Sequence, residues 1–130
     1  MIVAKYFVYL LKSTVSNKTY IGYTVDIRNR INSHNGLPAR GKGARRTRTG
    51  RPWKVVMYVS FEYERTAMQY EFCIQHTKKY KRTSGIANKM KIMKALLRQE
   101  RICSNAPLNS SFQKVLFFSD EESLKLWNSI

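Results

Sequence analysis

The sequence predicts an α/β domain: a small, mostly antiparallel sheet with a three-stranded core, flanked by helices. Three observations lead there. Short runs rich in aromatic and β-branched residues recur at 5–11 (KYFVYLL), 19–23 (TYIGY) and 53–61 (WKVVMYVSF), which is the pattern of buried strands. Helix-period apolar stripes lie between and after them. The first two runs are separated only by a short polar stretch, 13–18 (STVSNK), so an antiparallel hairpin is the simplest connection.

The elements follow in order. After the hairpin, Thr24 is the expected N-cap, and Asp26 stands in the first turn, where the helix dipole favours an anion. A helix over 25–34 then carries Ile27 and Ile31 on one face. The segment 35–52 is polar and holds Gly36, Gly41, Gly43 and Gly50, so it reads as a long loop of the kind that is either functional or disordered. The third strand leads into a helix over 64–80 with Ala67, Tyr70 and Ile74 on its inner face. A basic amphipathic helix is expected over 86–101 and a short strand over 115–118. Ser119 with Glu122 has the capping-box pattern ahead of a last helix through Leu124 and Trp127.

Charge sets the class of partner. Lys and Arg number 24 against 8 Asp and Glu, a net charge of +16. Such an excess repels itself in a compact chain and is relieved by a polyanion, with nucleic acid first and an anionic membrane surface second. No run nears the roughly 18 apolar residues of a membrane span. The apolar start is interrupted by Lys5 and has no small-residue cleavage site, so it reads as a strand and not a signal peptide. Two cysteines, Cys73 and Cys103, are too few for a disulfide framework and fit reduced thiols in an intracellular protein. Nucleus, cytoplasm and a viral replication site are not distinguished.

The basic residues cluster. Arg40, Lys42, Arg45, Arg46, Arg48 and Arg51 fill the glycine-bearing loop with no acid among them, and Lys78, Lys79, Lys81 and Arg82 form a second group. The first run favours nucleic acid over mere solvation, and the second also fits a nuclear localisation signal. Among the scarce acids, Glu71 is distinctive. It sits mid-helix on the line of Ala67 and Ile74, where a carboxylate is costly without a partner. Two readings stand: a salt bridge to an arginine, or a ligand for a hard divalent cation. Arg30 and His34, four apart on the first helix, either grip a phosphate or form a solvated basic edge. Tyr9 and Tyr20 are packing residues unless nearby cations make a phenol a base. Gly22 marks a place in a strand where another group comes close. A zinc set from Cys73, His76, His34 and Cys103 matches no common spacing.

Taken together these residues resemble the GIY-YIG nuclease family. VYL at 8–10 and YIG at 20–22 are similar to the two halves of its motif, although Gly and Ile of the first half are replaced and Tyr9 is the matched residue. Arg30, His34 and then Glu71 in AMQYEFCIQH follow in the family's order. FVYLLKS, TYIGYTVD, HNG and ARRTRTGRPWKVVMYV resemble the nuclease domain of the Slx-type structure-specific endonucleases. The resemblance implies one GIY-YIG-like nuclease domain over 1–130, with a catalytic core at 1–82 and a helical extension at 83–130. It implies metal-dependent hydrolysis of phosphodiester bonds in branched DNA such as flaps and junctions, in repair or recombination. Glu71 would hold one Mg²⁺ or Mn²⁺ that arrives with the DNA. Arg30 would bind the scissile phosphate, and Tyr9, its pKa lowered by His34 and the cations, would deprotonate the attacking water. Tyr20 would orient phosphate or water, with the two tyrosine roles exchangeable, and Gly22 would let the backbone approach. The RING-like zinc domain that docks eukaryotic members on a scaffold has no counterpart here, so no scaffold partner is implied and a stand-alone nuclease is expected. The rival expectation is a non-catalytic basic nucleic-acid-binding module, which explains the charge but not the placement of Tyr9, Tyr20, Arg30, His34 and Glu71.

Overall fold

The structure, a computed structural model, describes residues 4–41, 43–77 and 85–130. Strands β1 (Tyr6–Ser13), β2 (Thr19–Thr24), β3 (Trp53–Phe61) and β4 (Lys114–Phe118) form one antiparallel sheet in the order β2-β1-β3-β4. The hairpin joining β1 to β2 is set by Ser13, whose Oγ accepts from the backbone N–H of Val15 and Ser16 at 3.1 Å each. The three-stranded core is as expected, and β4 adds to its outer edge.

Side chains alternate along β1, so the sheet has two buried faces. Val8 and Leu10 point to a large core with Ile21, Met57, Val59, Phe61, Tyr70, Met90 and Trp127. Tyr9 and Leu11 point the other way, to a small cluster with Trp53, Tyr20, Ile27 and Ile31. Helices α2 (Glu64–His76), α3 (Ile86–Arg98) and α4 (Glu121–Ser129) serve the large core, and α1 (Ile27–His34) covers the small one. The buried Tyr70 hydroxyl donates to the Met93 carbonyl at 2.9 Å and ties α2 to α3. Among the described residues no helix is long and apolar enough to cross a membrane.

Helix boundaries depart from expectation for local reasons. Asp26, not Thr24, caps α1, accepting from the Asn29 N–H at 3.0 Å. Thr24 accepts instead from the Asp26 N–H and shapes the turn before the cap. Asp120, not Ser119, caps α4, accepting from the Ser123 N–H at 2.8 Å. The Ser119 N–H donates to the Val56 carbonyl and holds this residue against β3, and among the described residues its buried Oγ has no hydrogen-bond partner. Helix α2 stops at His76, with Thr77 extended, because the stripe Ala67, Tyr70, Ile74 has no apolar successor to bury. Helix α3 stops at Arg98, where the Asn109 amide donates to the carbonyls of Leu96 and Gln99 at 3.2 and 2.7 Å.

The loop 35–52 is not a free strap. Arg45–Arg48 form a 3₁₀ turn. The Asn35 side chain accepts from the Trp53 N–H and donates to the Trp53 carbonyl, and Trp53 Nε1 donates to the Thr47 carbonyl at 2.8 Å. The Arg40 backbone pairs with the Asn29 side chain, and its guanidinium meets Asp26 at 2.8 Å.

Candidate active site

Gly22 organises the site. It pairs with Tyr9 across the β1–β2 ladder, and the Tyr9 ring lies over it. A Cβ at position 22 would overlap the Tyr9 Oη and Cζ atoms, so the close approach that its glycine signals is that of the Tyr9 phenol. Beside it the Tyr20 and His34 rings stand 4.8 Å apart, and those of Tyr9 and His34 5.7 Å apart. The Tyr9 hydroxyl lies 2.7 Å from His34 Nε2. Tyr9 is 1% exposed, His34 is fully buried and Tyr20 is half-buried. His34 is therefore no part of a solvated basic edge: it faces inward from the last turn of α1 and contacts both strands of the hairpin.

The electrostatics follow from this burial. Desolvation raises the phenol pKa of both Tyr9 and Tyr20, and the pull of Arg30 beside them offsets only part of the rise. The expectation that cations would leave Tyr9 with a lowered pKa is thus overturned, because taking the phenolate out of water costs more than Arg30 returns. Burial, with Arg30 and Arg51 adding to it, pushes His34 down to about 4, so its imidazole is neutral at physiological pH. Glu71 is half-buried at the margin of the core and not beneath it, one step around α2 from the buried Tyr70. Burial raises its pKa and Arg30 partly opposes the rise. Among the described residues no side chain hydrogen-bonds or ion-pairs with its carboxylate, so the salt-bridge reading has no partner within bonding distance.

The neutral His34 gives a stability prediction. An unfolded histidine titrates near 6.5. Between that value and 4 the unfolded chain binds a proton that the folded one refuses. The contribution is whole above about pH 6.5 and drains as pH falls through the folded value. Urea unfolding at pH 7 and pH 4 is expected to show a loss on the order of 3 kcal/mol in the wild type that is missing from His34→Gln. Equal losses in both proteins would mean that His34 takes its proton inside the fold.

A divalent ion fits what is present. Glu71 offers a hard carboxylate donor; among the described residues no cation is bonded to it, and no cluster of three or more His, Cys, Asp or Glu could cage a metal. One carboxylate completed by water and phosphate oxygens suits Mg²⁺, which seldom takes an all-protein cage.

Of the basic residues, Arg45, Arg46 and Arg48 project to solvent from the 3₁₀ turn. The Arg46 charge reaches Tyr20 and Lys89, which puts that side chain at the rim of the site. Arg40 is paired with Asp26, and Arg51 Nε donates to the His34 carbonyl at 2.7 Å, closing the end of α1. Lys42, Lys78, Lys79, Lys81 and Arg82 lie outside the described residues. Thr47, buried between exposed arginines, was not foreseen. Its one sequence signal is a small uncharged residue inside a basic run.

Comparison with known proteins identifies the family. The family model of the GIY-YIG catalytic domain matches residues 5–88. The structure-specific endonuclease subunit SLX1 of Candida dubliniensis is 30% identical over 128 residues, covering 94% of this chain and 45% of that protein. The SLX1 homologue of Leishmania major is 47% identical over 74 residues, 53% of this chain and 10% of that one. The UPF0213 protein YsiG of Lactococcus lactis is 40% identical over 73 residues, 55% and 64% of the two chains. The chain thus spans less than half the length of either endonuclease relative.

Proposed function

This chain belongs to the GIY-YIG catalytic-domain family, and from that premise we propose that it is a metal-dependent endonuclease that hydrolyses phosphodiester bonds in branched DNA. The observation that carries the reading is the convergence around Gly22 of two phenols, one neutral imidazole and one guanidinium, with the Glu71 carboxylate at the edge of the group.

Arg30 binds the scissile phosphate and offsets the charge that gathers on it in the transition state. Tyr9 takes a proton from the attacking water while its own hydroxyl proton moves to His34 Nε2, so no free phenolate has to exist. A phosphate seated on Arg30 cancels one of the charges that depress His34, and the imidazole becomes a better base once substrate is bound. Tyr20, more open than Tyr9, orients the phosphate or the water. Glu71 would hold the divalent ion, which when bound supplies Lewis-acid stabilisation of the phosphoryl and leaving oxygens. The outward arginines of the turn supply backbone contacts that respond to charge and shape and not to base edges. The names of the SLX1 relatives support branched DNA as substrate.

The test is cleavage of labelled flap, junction, duplex and single-stranded DNA of matched sequence with Mg²⁺ or Mn²⁺. Chelator-sensitive cutting that favours the branched substrates is expected. Binding with no cutting on any of them would identify a non-catalytic nucleic-acid-binding module. Equal rates on branched and linear DNA would remove the branch preference.

A further inference from the structure

We propose that Thr47 is a positioning residue whose hydroxyl fixes the tautomer of His34 and so keeps Nε2 bare to receive the Tyr9 proton. Where catalysis is concerned this rests on the function proposed above; the tautomer itself does not.

The argument is a count of hydrogens. Thr47 Oγ1 lies 2.8 Å from the Ala44 carbonyl and 2.7 Å from His34 Nδ1. A carbonyl only accepts, so the single hydroxyl hydrogen goes to Ala44. Thr47 Oγ1 is then left as an acceptor toward the ring, and Nδ1 must carry the proton. A neutral imidazole has one N–H, so Nε2 is the acceptor, and it meets the Tyr9 hydroxyl at 2.7 Å. The opposite tautomer would set the Nδ1 lone pair against a threonine oxygen with no hydrogen to spare. The chain therefore runs in one direction, from Tyr9 through His34 and Thr47 to Ala44.

The turn is held tightly enough to impose this. Thr47 is fully buried, while its neighbours Arg46 and Arg48 are exposed. Its N–H reaches the Ala44 carbonyl at 3.1 Å, and its carbonyl accepts from the buried Trp53. Gly43 passes so close to α1 that a Cβ there would strike the Ser33 carbonyl, which leaves the turn nowhere to retreat. Among the described residues, the other groups that face His34 are Tyr20 from β2, Arg30 from its own helix and Arg51 from the end of the loop. Two of these are cations, which accept no hydrogen bond from the ring and disfavour its second proton. The same short turn thus presents arginines outward and the orienting hydroxyl inward.

The experiment is long-range ¹H–¹⁵N NMR on histidine-labelled protein at neutral pH, with His34 told apart from the exposed His76 by a His76→Gln variant. Wild type and Thr47→Ser are expected to show His34 protonated on Nδ1. Thr47→Val, which keeps the shape and removes the hydroxyl, is expected to lose that tautomer preference. On branched DNA, Thr47→Val is expected to lower kcat about tenfold to a hundredfold with KM unchanged, as when the group orienting a catalytic histidine is lost, and Thr47→Ser to restore it. An Nε2–H tautomer in the wild type, or an unchanged tautomer in Thr47→Val, overturns the proposal. The wild-type spectrum decides it even if the valine variant does not fold or the protein cuts no DNA, the latter outcome striking only the proposed function.

Discussion

Glu71→Gln is expected to cut Mg²⁺-dependent cleavage by about a thousandfold, matching the several kcal/mol of Lewis-acid stabilisation lost with the ion, while DNA binding stays intact or tightens slightly. The substitution keeps the side-chain volume, so α2 still packs through Ala67, Tyr70 and Ile74. It removes the carboxylate that faces Arg30 and the two phenols. Without it the metal loses its protein anchor, and a surface that meets phosphates loses one negative charge. A structural role predicts the reverse pattern. If Glu71 served only to stabilise the fold, glutamine would lower the melting temperature and residual cleavage would track the folded fraction. Since burial already raises the Glu71 pKa, neutralising it costs the fold little. Single-turnover cleavage beside a thermal melt separates the cases, and a stable variant that cuts at the wild-type rate removes Glu71 from the site.

How much of this was legible in the sequence depends on how far apart the partners lie along the chain. Strands were readable because aromatic and β-branched runs are local, and the hairpin because its turn is short. Caps were misread by two residues at Thr24 and one at Ser119. In each case a neighbouring aspartate is the acceptor instead; Thr24 Oγ1 is bonded to the Asp26 N–H, and the Ser119 backbone is tied to Val56. The residues proposed for the site could be named from the family pattern, but not their environment. That Tyr9 is core-buried and His34 neutral depends on α1 folding back over β1 and on the loop closing the far side of the imidazole. Burial of a polar pair is a tertiary fact, and it reverses the sign expected for the Tyr9 pKa. Thr47 stayed hidden for the same reason: its partner is 13 positions away, and only a folded turn brings them together.

Tyr9→Phe is the more discriminating change, because it deletes one oxygen from a ring that should otherwise stay in place. Cleavage is expected to fall about a hundredfold to ten-thousandfold, the range for losing a general base, with KM for DNA nearly constant because Arg30 and the turn arginines still meet the backbone. The loss of stability should be small, roughly 1–3 kcal/mol, since His34 Nε2 is left without its donor in a buried place. Tyr20→Phe should cost less activity, as Tyr20 touches His34 ring to ring and has no hydroxyl bond to it like that of Tyr9. The near-complete burial of Tyr9 makes the opposing case concrete: a phenol so shielded is packing first. On that view both phenylalanine variants cut at a rate set by their folded fraction, and neither shifts the pH dependence of kcat. If instead Tyr20→Phe is the more damaging of two well-folded variants, the half-buried phenol is the one that meets the water. Tyr9 and His34 then stand behind it as supports.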